Sequence, residues 1–347
     1  MRALALTRLG GPEHLAVLEL PEPTLQGENE VLIQVRCAAL NHLDLFLTEG
    51  VKGITLSFPH IVGTDGAGVV QAAGPAVTSV RPGDRVSLNP GISCGECRLC
   101  NADEEPFCRE FQILGEHRSG TAAELVIVPE RNVAKIADNM PWPVAAALPL
   151  STLTAWRMLT TRARLSAGES VLIWGAGGGI SLAALQIAKE LGARVIVTGS
   201  SEAKLAKARE LGAEVTFNHA ERSVDEIARD VRKLTGSGVA VVVDSVGEKT
   251  WEASLRALGP GGRLVTCGAT SGPDAKLDLR RLFWFQWSLL GSTMGTRREF
   301  AALMALANEG KLWPVIDSVV PLERGRSAYE RMARGEQLGK LVLEVSR

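Results

Sequence analysis

SVLIWGAGGGISLAALQIAKELG, residues 170–192, decides how this chain is built. It opens on a short apolar run, passes through glycines, and continues with apolar residues at helical spacing. A strand, a glycine turn and a helix in that order make half of a crossover unit whose two strands run parallel. The pattern then repeats. RVIVT (194–198) precedes SEAKLAKARELG, VTFN (215–218) precedes SVDEIARDVRKLTG, GVAVVVDS (238–245) precedes KTWEASLRALG, and GGRLVTCG and WSLLGST close the series. Near-continuous apolar strands alternating with helices predict an α/β, doubly wound parallel sheet covered on both faces.

Outside this block the texture differs. EVLIQVRCAAL (30–40), GAGVVQAAG (66–74), GDRVSLNP (83–90) and AELVIVPE (123–130) are short β-branched runs between Gly and Pro breakers, which predicts an irregular β-rich domain. The change falls near Pro141-Trp142-Pro143. The helix RREFAALMALANEG and the strand GKLVLEVS, near the end, do not extend the alternation and are assigned to the first domain. The expected domains are therefore residues 1–151 with 294–347, and residues 152–293. A length of 347 residues suits two cores better than one.

Between them, GISCGECRLCNADEEPFC carries Cys94, Cys97, Cys100 and Cys108 in a lobe of about residues 91–111. Short Cys-x2-Cys steps bring thiolates close enough to share one tetrahedral zinc. Two disulfides are the alternative, disfavoured because nothing else marks the chain as secreted. Four thiolates close the coordination sphere, so this zinc would be structural. Cys37 and Cys267 lie amid apolar residues and are read as buried thiols.

Composition narrows the partners. Charged residues make 22% of the chain and the formal net charge is -1, so no broad basic field exists for nucleic acid or an anionic membrane. The apolar run LFWFQWSLL (282–290) is too short to span a bilayer. MRALALTRLGGPEHLAV lacks a signal-peptide pattern, and a cytoplasmic location is expected. The partner expected is a small molecule.

The glycine loop reads Gly175-Ala-Gly177-Gly178-Gly179-Ile180-Ser181. Backbone N–H groups of Gly178, Gly179 and Ile180, at a helix N-terminus, would meet a dinucleotide pyrophosphate. Ser181 stands where the fingerprint has its last glycine. About twenty residues on, an NAD-preferring site carries an acid for the ribose 2′-hydroxyl. Here Gly199-Ser200-Ser201 stand instead, with Lys204 placed either to meet a 2′-phosphate or to lie on a solvated helix face. NADP(H) is therefore expected over NAD(H). Gly268 and Ser292, at the ends of later strands, join the same carboxyl edge.

VRCAALNHLDLF (35–46), PHIVGTDGAGVV (59–70), the cysteine lobe, ALPLSTLTAW (147–156) and the glycine loop together resemble the medium-chain dehydrogenase/reductase superfamily over essentially the whole chain. The resemblance implies a Rossmann domain, a GroES-like β-rich catalytic domain with a structural zinc lobe, and a homodimer or homotetramer. It also implies that Asn41 and Thr154 line the nicotinamide and ribose. The lobe is similar to that of the alcohol dehydrogenases, and ALNHLD is similar to the quinone oxidoreductases. Positions at which alcohol dehydrogenases hold a catalytic zinc fall on Asn41, Thr64 and approximately Leu150. Asn and Thr oxygens are feeble zinc ligands and Leu is none. His42, His60, Asp44 and Asp65 show no ligand spacing.

The expected activity is hydride transfer to a quinone, an enone or another carbonyl without a catalytic metal. The alternative is a zinc-containing alcohol dehydrogenase. Asn41, His42 and Asp44 are the candidate catalytic residues. His42 would relay a proton or make a structural hydrogen bond, and Asp44 would assist the relay or cap a helix. Trp284, Phe285 and Trp287 would line a pocket, the core or a subunit interface.

Overall fold

The computed structural model describes residues 1–346, which fall into two compact units, residues 1–153 with 294–346, and Thr154–Thr293. The second unit holds a six-stranded sheet, every pair parallel. Its spatial order is Val215–Asn218, Arg194–Gly199, Ser170–Ile173, Val239–Asp244, Leu258–Thr266 and Ser288–Gly291. The chain thus starts in the middle, winds to one edge, and returns past its first strand to wind to the other. The order reverses beside Ser170–Ile173, where open α/β sheets bind ligands.

Burial explains why these runs are strands and not helices. Val171, Leu172 and Ile173 are all buried, as are Val241, Val242 and Val243, because helices cover both faces. The helices follow their own local signals. Ser223 and Glu226 form a capping box at the start of Val224–Thr235, and Gly236 follows its last residue at φ 76°. Ile227, Ala228 and Val231 on that helix pack with Leu172, Ile196 and Val242 of the sheet.

The first unit is organised by a seven-stranded sheet in which Glu30–Ala39 pairs with Asp65–Ala73, Leu125–Pro129 and Lys340–Glu344. Val31, Ile33 and Val35 face a core shared with Val70, Leu88, Val128 and Leu343. Gly68 makes the pairing with Glu30–Ala39 possible, since a Cβ there would lie 2.1 Å from the carbonyl oxygen of Gln34. The Val342↔Ala39 register, carried two residues further, sets Lys340 opposite Asn41.

One open alternative is resolved and one expectation changes. Trp287 is a core residue, stacked on Phe285 at 5.2 Å with its Nε1–H donating to the carbonyl of Gly259 at 2.9 Å. Trp284, by contrast, is 75% exposed on the short helix Leu279–Trp284. Cys37 is buried but Cys267 is partly exposed. Among the described residues no helix is long and apolar enough to cross a membrane.

Candidate active site and zinc lobe

In the lobe, the four thiols converge with Sγ–Sγ separations of 3.5 Å (Cys97–Cys100), 3.6 Å (Cys94–Cys108), 3.7 Å (Cys94–Cys100) and 3.9 Å (Cys97–Cys108). Four sulfurs at ~2.3 Å from one zinc stand about 3.8 Å apart, so the set fits a tetrahedral ion and excludes disulfides. It is the one cluster of three or more His, Cys, Asp or Glu ligands among the described residues. The lobe is anchored within its unit by Glu105, whose buried carboxylate accepts from Arg297 Nε at 2.6 Å.

In the second unit, the glycine loop leaves the carboxyl end of Ser170–Ile173 and Gly178 caps the helix Gly179–Glu190. No side chain satisfies the first N–H groups of that helix, and a Cβ on Gly178 would meet nothing within 4 Å. The open cradle fits a pyrophosphate. Ser181 keeps helix and strand together by donating its hydroxyl to the Trp174 carbonyl at 3.0 Å. Along the same sheet edge, the Ser292 hydroxyl is buried without a protein partner and Thr266 donates to the Gly268 carbonyl at 3.1 Å. Asp244 has a different task. It accepts from Thr250, Ser254 and the N–H groups of Val246 and Gly247, and Ser254 in turn accepts from Trp174 Nε1. That carboxylate holds the loop together.

The second strand ends at Gly199, whose glycine serves packing, since a Cβ there would meet Leu205 Cδ2 at 2.7 Å. Ser201 caps the following helix by accepting from the Lys204 N–H. Lys204 Nζ donates to Ser200 Oγ at 3.3 Å, and its stem lies over Gly177. The missing acid thus has a steric cause as well as an electrostatic one.

In the first unit, Asn41 is the N-cap of the helix His42–Glu49, and its N–H donates to Asp44 Oδ2 at 2.8 Å. Asp44 is therefore the third helical residue and not the cap. Its other oxygen accepts the Thr64 hydroxyl. Asn41 Nδ2 donates to Asp65 Oδ2 at 2.9 Å, and the Leu150 N–H to Asp65 Oδ1 at 2.8 Å. Asn41, Thr64 and Leu150, far apart in sequence, do converge. Burial pushes the Asp44 carboxyl up to about 7, outweighing the bonds from Thr64 and Asn41. The His42 imidazole is pushed down, first by burial and then by the charge of Lys340, and neither ring nitrogen has a protein partner among the described residues. Leu43, Phe111, Ile113, Leu150 and Met294 form an apolar cluster in the same unit.

Sequence reasoning missed Lys340. Its ammonium is buried with Asn41 Oδ1 at 2.5 Å and Asp65 Oδ2 at 3.1 Å. A catalytic zinc does not fit these residues. Asn41 Oδ1 is held by an ammonium, the Thr64 hydroxyl is committed to Asp44, and the Leu150 side chain has no ligand atom while its N–H is spent on Asp65.

Comparison with known proteins supplies the rest. Residues 27–138 match the alcohol dehydrogenase GroES-like domain and residues 179–309 match the zinc-binding dehydrogenase family. An NAD-dependent alcohol dehydrogenase of Sulfolobus acidocaldarius is 33% identical over 100% of both chains. The acryloyl-coenzyme A reductase of Metallosphaera sedula is 31% identical over 96% of this chain and 97% of its own. Among solved structures, an NAD-dependent alcohol dehydrogenase superposes with a TM-score of 0.95 at 44% identity, covering 100% of each chain.

These findings overturn the expected quinone or enone reductase, because NAD-dependent alcohol dehydrogenases match the whole chain at the higher identities, 33% and 44% against 31% for the acryloyl-coenzyme A reductase. The expectation rested on the absent zinc ligands at Asn41, Thr64 and Leu150 and on the likeness of ALNHLD to the quinone oxidoreductases, and neither outweighs relatives matched along the length of the chain. The expected preference for NADP(H) likewise finds no support, since these relatives are NAD-dependent.

Proposed function

The chain belongs to the medium-chain dehydrogenase/reductase superfamily of zinc-type alcohol dehydrogenases, and on that premise we propose that it is a zinc-containing dehydrogenase interconverting alcohols with aldehydes or ketones. It is an NAD(P)-dependent oxidoreductase. The observation that carries the substrate class is the full-length likeness, at 44% identity, to an NAD-dependent alcohol dehydrogenase.

In this reading, a dinucleotide would supply the acceptor or donor of hydride and would be held at Gly178, Gly179, Ile180, Gly268 and Ser292, with Thr154 toward its nicotinamide end. His42 takes the alcohol proton, because a depressed pKa keeps its imidazole neutral near pH 7 and its ring nitrogens carry no other bond. Asp44 and Thr64 hold the Asn41 backbone, and Asn41 orients the reactants. The apolar cluster around Leu43, Phe111 and Leu150 favours a hydrocarbon side chain on the substrate. Cys94, Cys97, Cys100 and Cys108 hold one structural zinc, whose need for reduced thiolates is consistent with a cytoplasmic enzyme.

The test is a panel of primary and secondary alcohols with NAD+, and of aldehydes and ketones with NADH. Turnover of alcohols and aldehydes is expected, and turnover of an enoyl thioester with none of the panel would sink the proposal. Asn41→Ala should lower kcat on the order of a hundredfold, since a shift of about 1 Å at the reacting atoms costs that much.

NAD(H) is the cofactor in this proposal. The residues that argue for NADP(H), Ser200, Ser201 and Lys204, already bond one another or cap their own helix, and the NAD-dependent relatives weigh against it. NADH is expected to bind at least as tightly as NADPH in a fluorescence titration. A dissociation constant tenfold lower for NADPH would reverse this assignment.

A homodimer or homotetramer completes the reading. Ser288–Gly291 is an edge strand, and Leu279, Phe283 and Trp284 stand exposed on the helix just before it. Light scattering should give a mass of at least two chains, and Trp284→Glu should lower it.

A further inference from the structure

Lys340 begins the strand Lys340–Glu344, yet its side chain is only 3% exposed and lies among the groups that converge on Asn41. An ammonium has three donors and no acceptor, so it must face the oxygen of an amide and not its nitrogen. Bonding Asn41 Oδ1 at 2.5 Å, it therefore decides which way that amide points. The Asn41 Nδ2 is left to face Asp65 Oδ2 at 2.9 Å, the same oxygen that Lys340 reaches at 3.1 Å. Lys340, Asn41 and Asp65 close a three-membered ring of hydrogen bonds. Asp65 is fixed from its far side by the Leu150 N–H.

We propose that Lys340 is the resident cation of this site and the positioning residue for Asn41. Its ammonium occupies the amide and carboxylate oxygens that a divalent ion would need, and it locks the Asn41 amide in one orientation. With Lys340 neutralised, Asn41 Oδ1 and Asp65 Oδ2 lose their cation and are left as adjoining hard oxygen donors. A divalent ion should then be able to enter where none entered before. The catalytic half of this inference rests on the proposed dehydrogenase activity, and the metal half does not.

The experiment uses the full-length protein with zinc on its cysteine lobe, titrated with Co(II) and followed by elemental analysis and visible absorption. The unmodified protein should take up no additional metal. Lys340→Gln, which removes the positive charge, should take up one Co(II) per chain. Lys340→Arg, which keeps the charge, should take up none. In turnover, Lys340→Gln should lower kcat on the order of a hundredfold while leaving the KM for alcohol within a few fold, and Lys340→Arg should restore most of the loss.

A second metal in the unmodified protein overturns the proposal, as does a folded Lys340→Gln protein that binds no metal and turns over normally. If Lys340→Gln does not fold, Lys340→Met, which also removes the charge, is titrated and assayed in its place, and a folded Lys340→Met protein that binds no metal and turns over normally overturns the proposal. Failure of the unmodified protein to oxidise any alcohol removes the dehydrogenase reading and leaves the metal titration intact as a test of the site.

Discussion

Cys97→Ser is expected to release the lobe zinc and to cost about 3–5 kcal/mol of stability, well beyond an ordinary surface change. The four sulfurs lie at the separations a tetrahedral zinc requires, and little else orders a segment whose longest helix is the four residues Arg98–Asn101. Without the ion, the remaining thiolates repel and the lobe loses its centre. The Glu105–Arg297 pair, of which only the carboxylate is buried, and the exposed Arg298–Asp103 pair then remain as the charged ties of the lobe among the described residues, too few to order it. Elemental analysis, urea unfolding and limited proteolysis of residues 91–111 would measure the effect. Freshly purified, unchelated protein that contained no zinc would remove its cause.

Asp44→Asn should change the pH dependence of stability more than any other single substitution near Asn41. The Asp44 carboxyl is raised from its usual acidic range to about 7, with burial as the main cause. Between pH 4 and 7 the folded protein holds a proton that the unfolded chain releases. Stability from this group is therefore complete below pH 4, falls as pH rises through 7, and is constant above. Three units correspond to roughly 4 kcal/mol. Asparagine stays neutral throughout, accepts the Asn41 N–H, and can donate to a Thr64 hydroxyl that has turned to accept. The variant should thus match the parent near pH 4 and gain stability over it as the pH rises to 8. Denaturant unfolding at both pH values checks this, and identical slopes in the two proteins would rule it out.

The parts of this protein legible in its sequence are those set by local spacing. Val171–Ile173 and Val241–Val243 read as doubly covered strands because every residue is apolar, and a strand between two helical layers needs nothing else. The cysteines declare their metal by steps of two residues. Asn41, Thr64 and Leu150 show in one dimension that zinc-binding side chains are missing. Missing zinc ligands do not by themselves name the substrate, and here the alcohol dehydrogenase likeness comes from relatives matched along the whole chain.

Tertiary structure alone placed Lys340. It stands 299 residues from Asn41, and only the antiparallel register of the last strand on Glu30–Ala39 brings the two together. Nothing in GKLVLEVS distinguishes this lysine from one at a solvated strand end. The same holds for Asp44, whose elevated pKa depends on burial by elements distant in sequence, and for Trp284, which no pattern separates from the buried Trp287 three residues on. Local periodicity is written into neighbouring residues. Desolvation and charge pairing are sums over whatever the fold brings near, and those sums exist only once the chain has closed on itself.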